Sequence, residues 1–354
     1  MRYLKILFAS FSFALLFGCQ HLPEYLRLSV DQPTIPQPNN YFSHFIPPDE
    51  KYEFLEVTPE MEDFLAQLDL EDMQESEKII TIYDAIFKSE GFKIDYDMFT
   101  TASAAETFET KVGNCISLTA MFVALGRHVG LNARFQEANT APIWHSENGI
   151  FTELHHINTL MYRNRAISVV IDLYDKYTYR PREGRIISDE ESFAFYYNNK
   201  AAEAMMEHDN AAAYYYYQKA LSFTPDTAYM WSNFGTLFTR LKDYERAEQI
   251  FRYALNLNPR EYNALLNLRS LYYQTERYEL AENLNSIIDT EYGDNPHYLK
   301  SVAERALMSG DIEKAIVYIK RVEQIKPGLI DPNSIMLTNN QNQRIEYQLD
   351  ISKY

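Results

Sequence analysis

A period of 34 residues runs through the C-terminal half of this chain, and a sequence that repeats at that interval folds as a stack of like units. Tyr197, Trp231, Leu265 and Leu299 recur at that spacing, and so do Ala213, Ala247, Ala281 and Ala315. A unit of this length cannot bury an apolar face alone, so neighbouring units must share one continuous core. Small residues let paired helices approach closely, while the aromatic residues fill the space between adjacent pairs.

In the second unit Trp231, Phe234, Gly235, Phe238, Ala247, Phe251, Ala254 and Pro259 fall on the signature positions of the tetratricopeptide helix–turn–helix repeat, which the region resembles. The first unit keeps Ala201, Ala213, Tyr217, Ala220 and Pro225, and the fourth keeps Leu299, Ala303, Ala315, Ile319 and Pro327. The third departs, with Arg269 at a small-residue position and Gly293 where proline belongs. The expectation is an all-α solenoid of four repeats over residues 194–329, followed by a polar tail at 330–354. Such solenoids bind a protein or peptide in their concave groove; the alternative is that the repeats only buttress the preceding domain. The run Tyr214-Tyr215-Tyr216-Tyr217 invites reading as a binding platform, but helical spacing turns two of the four inward and leaves one pair as candidate contacts.

The chain has 354 residues and two cysteines, and the first belongs to the leader. Met1-Arg2-Tyr3-Leu4-Lys5 is a basic segment, Ile6 to Phe17 an apolar one too short to span a bilayer, and Leu16-Phe17-Gly18-Cys19 closes it. This resembles the lipobox of bacterial lipoproteins, which implies residues 1–19 as signal peptide, lipidation at Cys19, and a membrane-anchored protein of the cell envelope. Gln20, in place of an acidic residue, implies the outer membrane, facing the periplasm. Pro23, Pro33, Pro36, Pro38, Pro47 and Pro48 make residues 20–57 an expected extended spacer. A net charge of −17 without a basic run excludes nucleic acid as a partner.

Cys115 then stands alone, with no partner for a structural disulfide. It opens a helix expected over residues 115–128, whose buried face is Leu118, Phe122, Leu125 and Val129 and whose stop is Gly130. A thiolate at a helix N-terminus is stabilised by free backbone N–H groups and the positive end of the dipole, so the residue reads as a nucleophile; the competing reading is a small buried hydrophobe. Around it, residues 58–190 read as an α+β domain. A helix is expected over 76–89, with Ile79, Ile82, Tyr83 and Ile86 on one stripe. Strands are expected at Leu131 to Phe135, His156 to Tyr162 and Ala166 to Asp172, the last two joined as a hairpin by Arg163-Asn164-Arg165.

Cysteine on a helix, then histidine and aspartate on neighbouring strands, is the papain-like order of nucleophile, base and orienter. With Gly113-Asn114-Cys115, the run from Leu125 to Arg134, and the pair His156 and Asp172, residues 60 to 185 resemble the transglutaminase-like superfamily. Forms that place this domain before tetratricopeptide repeats carry a motif similar to His156-Ile157-Asn158. The resemblance implies Cys115 as nucleophile, His156 as general base and Asp172 as the group fixing the imidazole tautomer, with Asn114 and Asn158 in support. His155 competes with His156, since adjacent strand residues face opposite sides, and Asp175 competes with Asp172. His128 and His145 are expected to be structural or surface residues, Trp144 to shield the site or join the core, and neither metal nor cofactor is expected. The implied chemistry is acyl transfer on amide bonds, hydrolysis before crosslinking; the alternative is a non-enzymatic scaffold lipoprotein with a degenerate first domain.

Overall fold

The computed structural model describes residues 31–89, 92–138, 143–147, 150–163, 167–171, 184–308, 310–330, 335–338 and 344–347. The leader with Cys19, and both Asp172 and Asp175, lie outside these residues. Two helices, α1 (Pro59–Ala66) and α2 (Glu75–Phe87), open the first domain, and α2 buries Ile79, Ile82 and Ile86 as its periodicity requires. A short parallel pair, β1 (Asp95–Tyr96) and β2 (Val112–Gly113), brackets α3 (Ala104–Thr110), and α4 (Cys115–His128) follows at once over the expected residues. Every residue of α4 from Ile116 to Gly126 is buried. The helix is enclosed by α3 on one side, by the sheet on another and by the solenoid on a third.

Beyond α4 come β3 (Ala133–Ala138), the hairpin of β4 (Ile143–Glu147) and β5 (Ile150–Leu154), then β6 (Ile157–Arg163), β7 (Ile167–Ile171) and β8 (Gly184–Ile187). Four of these make an antiparallel sheet in the order β7-β6-β3-β8. The expected hairpin is present as β6 and β7, with Thr159 opposite Ile171 and Arg163 opposite Ile167. The β4–β5 hairpin and β8 were not expected, because neither carries a clean alternation of apolar and polar residues.

The solenoid pairs α5 (Asp189–Met206) with α6 (Asn210–Phe223), α7 (Ala228–Arg240) with α8 (Tyr244–Leu257), α9 (Tyr262–Gln274) with α10 (Tyr278–Tyr292), and α11 (Pro296–Met308) with α12 (Ile312–Ile325). The 34-residue period is written in the backbone as well as in the side chains. His208, Lys242, Glu276 and Gly310 all take left-handed φ between 61° and 80° in the turn inside each pair. Asp209, Asp243 and Asp311 follow them and cap the second helix through a side-chain oxygen, whereas Arg277 in the divergent third unit provides no such cap. Gly235 is required by close approach: a Cβ there would lie 2.5 Å from the Phe251 ring. Arg269 sits only 2% exposed and donates to Asn285 Oδ1 at 3.3 Å, so the third unit exchanges a small residue for a buried hydrogen-bonded one.

Residues 33–57 depart from the extended spacer expected between prolines. Aromatic residues set among those prolines find partners on the solenoid, and apolar burial outweighs the extended preference. Tyr41 packs on Tyr214 and Phe238 and donates to Asp243 Oδ2 at 2.6 Å, while Tyr214 donates to the Pro36 carbonyl at 2.6 Å. Glu50 accepts from Lys219 at 2.6 Å, and Phe54 is buried against Phe135 and Tyr196. This strap also covers the tyrosine run. Tyr214, Tyr216 and Tyr217 are buried and Tyr215 lies against Phe45, so three of the four face inward and the expected contact pair is reduced to one half-covered ring. The region 330–354, expected as a polar tail, contains an antiparallel pair, β9 (Ile335–Thr338) and β10 (Arg344–Tyr347).

The two regions share one core. Phe54, Phe122 and Phe135 of the first belong to the same buried cluster as Phe195, Tyr196 and the repeat helices. Arg127 near the end of α4 grips Asp189 at the start of α5 with two bonds of 2.7 and 2.8 Å. In addition β5 packs on α7 and α9, first helices of successive repeats, so an extended segment of the chain itself lies on the face where such a solenoid presents its groove.

The strap adds the Tyr41 bond to an Asp243 that already caps α8 and pairs with Arg246 at 2.7 Å, whereas Asp311 only caps α12. Asp243→Ala is expected to lower stability by about 2 kcal/mol, the loss of a cap plus the Tyr41 bond, against about 1 kcal/mol for Asp311→Ala. Urea unfolding of the two variants checks this; equal losses would mean that the strap contributes nothing.

Candidate functional site

Three consecutive residues build the head of α4, each for a separate reason. Gly113 allows β2 to run directly beneath the helix, since a Cβ there would lie 2.7 Å from Ser117 Cβ. Asn114 is the N-cap: its Oδ1 accepts from the Ser117 N–H at 3.2 Å and from Ser117 Oγ at 2.9 Å. Cys115 is then the first helical residue, with partial exposure. The Gly-Asn-Cys motif is thus a spacing device, a cap and a thiol in sequence.

β6 runs alongside α4, so the residues before it come to rest at the helix head. Thr119 Oγ1 donates to the Ile157 carbonyl at 3.2 Å, and Cys115 Sγ lies 4.0 Å from the His155 carbonyl oxygen. The thiol therefore sits against the His155 backbone, one residue before His156. Among the described residues no hydrogen bond joins it to either imidazole.

The two histidines have different surroundings. His156 is buried, at 6% exposure, and its carbonyl accepts from the Ala138 N–H at 2.9 Å, tying it to the end of β3. His155 packs against the solenoid. Its ring stacks on Tyr229 of α7 at 4.3 Å and meets Phe195 of α5 edge-on at 5.9 Å, while Nδ1 lies 2.6 Å from Glu137 Oε1. Glu137 also accepts from Arg185 at 2.8 and 3.1 Å, and Arg185 reaches Glu191 at 2.5 Å. Burial alone would push the Glu137 carboxyl up, but His155 and Arg185 outweigh it and hold it below the usual value. Sequence reading missed Glu137 because a glutamate in a strand of mixed pattern gives no sign of its cross-strand partner.

Asn158 is 1% exposed on β6 opposite Gln136 of β3. No hydrogen-bond partner satisfies either of its side-chain atoms among the described residues. His128 stands at the surface, 3.9 Å from Glu62. Trp144 and His145 lie in β4.

A second polar chain reaches the head of α4 from the solenoid. Asn114 Nδ2 donates to Thr101 Oγ1 at 2.7 Å, and the Thr101 hydroxyl donates to Glu203 of α5. Sequence reading did not single out Thr101 or Glu203, which lie 102 residues apart.

Comparison with known families agrees with this two-part fold. Residues 62–183 match the profile of the transglutaminase-like superfamily, and residues 198–322 match the middle TPR-like domain of cilia and flagella-associated protein 70. The chain joins a transglutaminase-like domain to a tetratricopeptide-like solenoid. No curated protein matches it. Among solved structures it is similar to the one described as MamA RS-1 ArsTM double mutant, with 16% identity and a TM-score of 0.29, over 40% of this chain and 77% of that one.

The lowered Glu137 fixes a pH signature. A carboxyl whose folded value is depressed contributes stability above its ordinary value of 4.5, and the contribution is lost as pH falls through the folded value. Glu137→Gln is therefore expected to destabilise the chain at pH 7 and to approach the wild-type stability in strong acid. Chemical unfolding at both pH values reads the difference; a cost independent of pH would show that the His155 and Arg185 contacts carry no charge-dependent energy.

Proposed function

We propose that the chain is a cysteine acyl-transfer enzyme acting on amide bonds, with hydrolysis as its reaction. The observation that carries this reading is Cys115 as first residue of a capped, buried helix, held against the backbone that leads into His156. In the proposed reaction His156 takes the thiol proton, Sγ bonds to the amide carbonyl carbon, and the C–N bond breaks as the same proton passes to the leaving amine. Water activated by His156 then cleaves the C–S bond, releasing a carboxylic acid and the thiol. Asp172 fixes the imidazole tautomer. The Cys115 N–H, in a first turn where backbone donors have no intrahelical acceptor, contributes to the oxyanion site.

The chain is further proposed to act as a lipoprotein anchored through Cys19 at the outer membrane, facing the periplasm. Its repeats bind a protein or peptide partner on the part of the concave face that β5 leaves open. Support for that binding mode is internal, since β5 already shows this face accepting an extended segment.

The competing base is His155, which has its own carboxylate in Glu137. With an electrophilic amide probe, His156→Ala is expected to abolish turnover and His155→Ala to keep most of it. The reverse pattern assigns the base to His155, and no turnover in wild type makes the chain a scaffold. Anchoring is tested separately: Cys19→Ser is expected to leave the membrane fraction, and identical fractionation of variant and wild type contradicts the lipobox reading.

A further inference from the structure

We propose that Glu203, on the first solenoid helix, is a positioning residue for the Cys115 thiol, acting through Thr101 and Asn114. The proposal rests on the reading of Cys115 as nucleophile.

The direction of the bonds at Asn114 is determined. A backbone N–H can only donate, so the Asn114 atom facing Ser117 N must be Oδ1, and Nδ2 must face Thr101. Thr101 Oγ1 therefore accepts from the amide and spends its single proton on Glu203. The N-cap of the thiol helix is thus oriented by a carboxyl group on the other domain. Thr101 and Asn114 are 6% and 2% exposed, so rotation of the cap would strand a buried donor. Asn114 N–H is bonded to the Thr100 carbonyl at 2.9 Å, and Ala102 N–H to Ser117 Oγ at 2.8 Å, which pins the backbone on both sides of Thr101.

A capping contact on its own would need no acid. Burial pushes Glu203 up to about 7, with the Thr101 hydroxyl and backbone and Lys200 pulling down and Glu207 pushing up. Of the charged groups on the elements packed against α5, Lys219 of α6 is bound to Glu50 at 2.6 Å, Arg127 of α4 to Asp189 at 2.7 Å, and Arg240 of α7 donates to the Met205 carbonyl. Near neutrality the relay therefore ends on either a neutral acid or a carboxylate, and the carboxylate is the stronger acceptor. Glu203 holds the thiol helix more firmly in its charged form.

The test is the alkylation rate of Cys115 by iodoacetamide in the full chain, followed on the Cys115 peptide by mass spectrometry from pH 5.5 to 8.5. The ratio of wild type to Glu203→Gln cancels the ionisation of the thiol itself. It is expected to be near one in acid and to rise about fivefold through neutrality, the gain of a charge-assisted over a neutral bond. In a Thr101→Val background Glu203→Gln is expected to have no further effect, with circular-dichroism melts run on each variant. A flat ratio overturns the proposal, as does a ratio that falls with pH, which would make Glu203 a through-space charge, or an undiminished effect in the valine background. Should wild-type Cys115 react no faster than free cysteine at any pH, the nucleophile reading itself fails, an outcome distinct from all of these.

Discussion

Helix α4 is buried along nearly its whole length, so its first turn is capped from inside the protein, where Asn114 Oδ1 accepts from the Ser117 N–H. That constraint organises the site. It explains the asparagine before the thiol, the glycine before the asparagine, and the loop 100–103 wrapped around Ser117. Leaving such donors unmade would cost about 1–3 kcal/mol each. The Cys115 thiol, partly exposed, sits at the head of this helix.

The same burial makes the solenoid part of the first domain. Arg127 with Asp189, His155 with Tyr229, Thr101 with Glu203 and Phe54 with Tyr196 are four separate seams between the two regions. Of the two roles open to the repeats, buttressing is visible in these contacts.

Much of this was legible in the sequence where a residue type answers a local demand. The alanine and aromatic spacing declared the repeats, and Gly130 marked the end of α4, where the backbone turns to φ 82°. The strap was misread because proline content signals an extended backbone but says nothing of whether Tyr41 and Phe54 will find rings to cover them. Glu137 and Glu203 were invisible for a different reason. Their roles come from partners across a sheet and across a domain seam, and no spacing along the chain encodes those distances.

The central claim is that Cys115 is a nucleophile presented by a rigidly capped helix. It is tested most directly by intact-mass analysis after brief exposure of the full chain to an activated acyl ester. The account predicts one added acyl group, mapped to Cys115 and released by hydroxylamine as a thioester is. A folded chain that neither carries the acyl group at Cys115 nor hydrolyses the ester faster than its Cys115→Ala variant would contradict it.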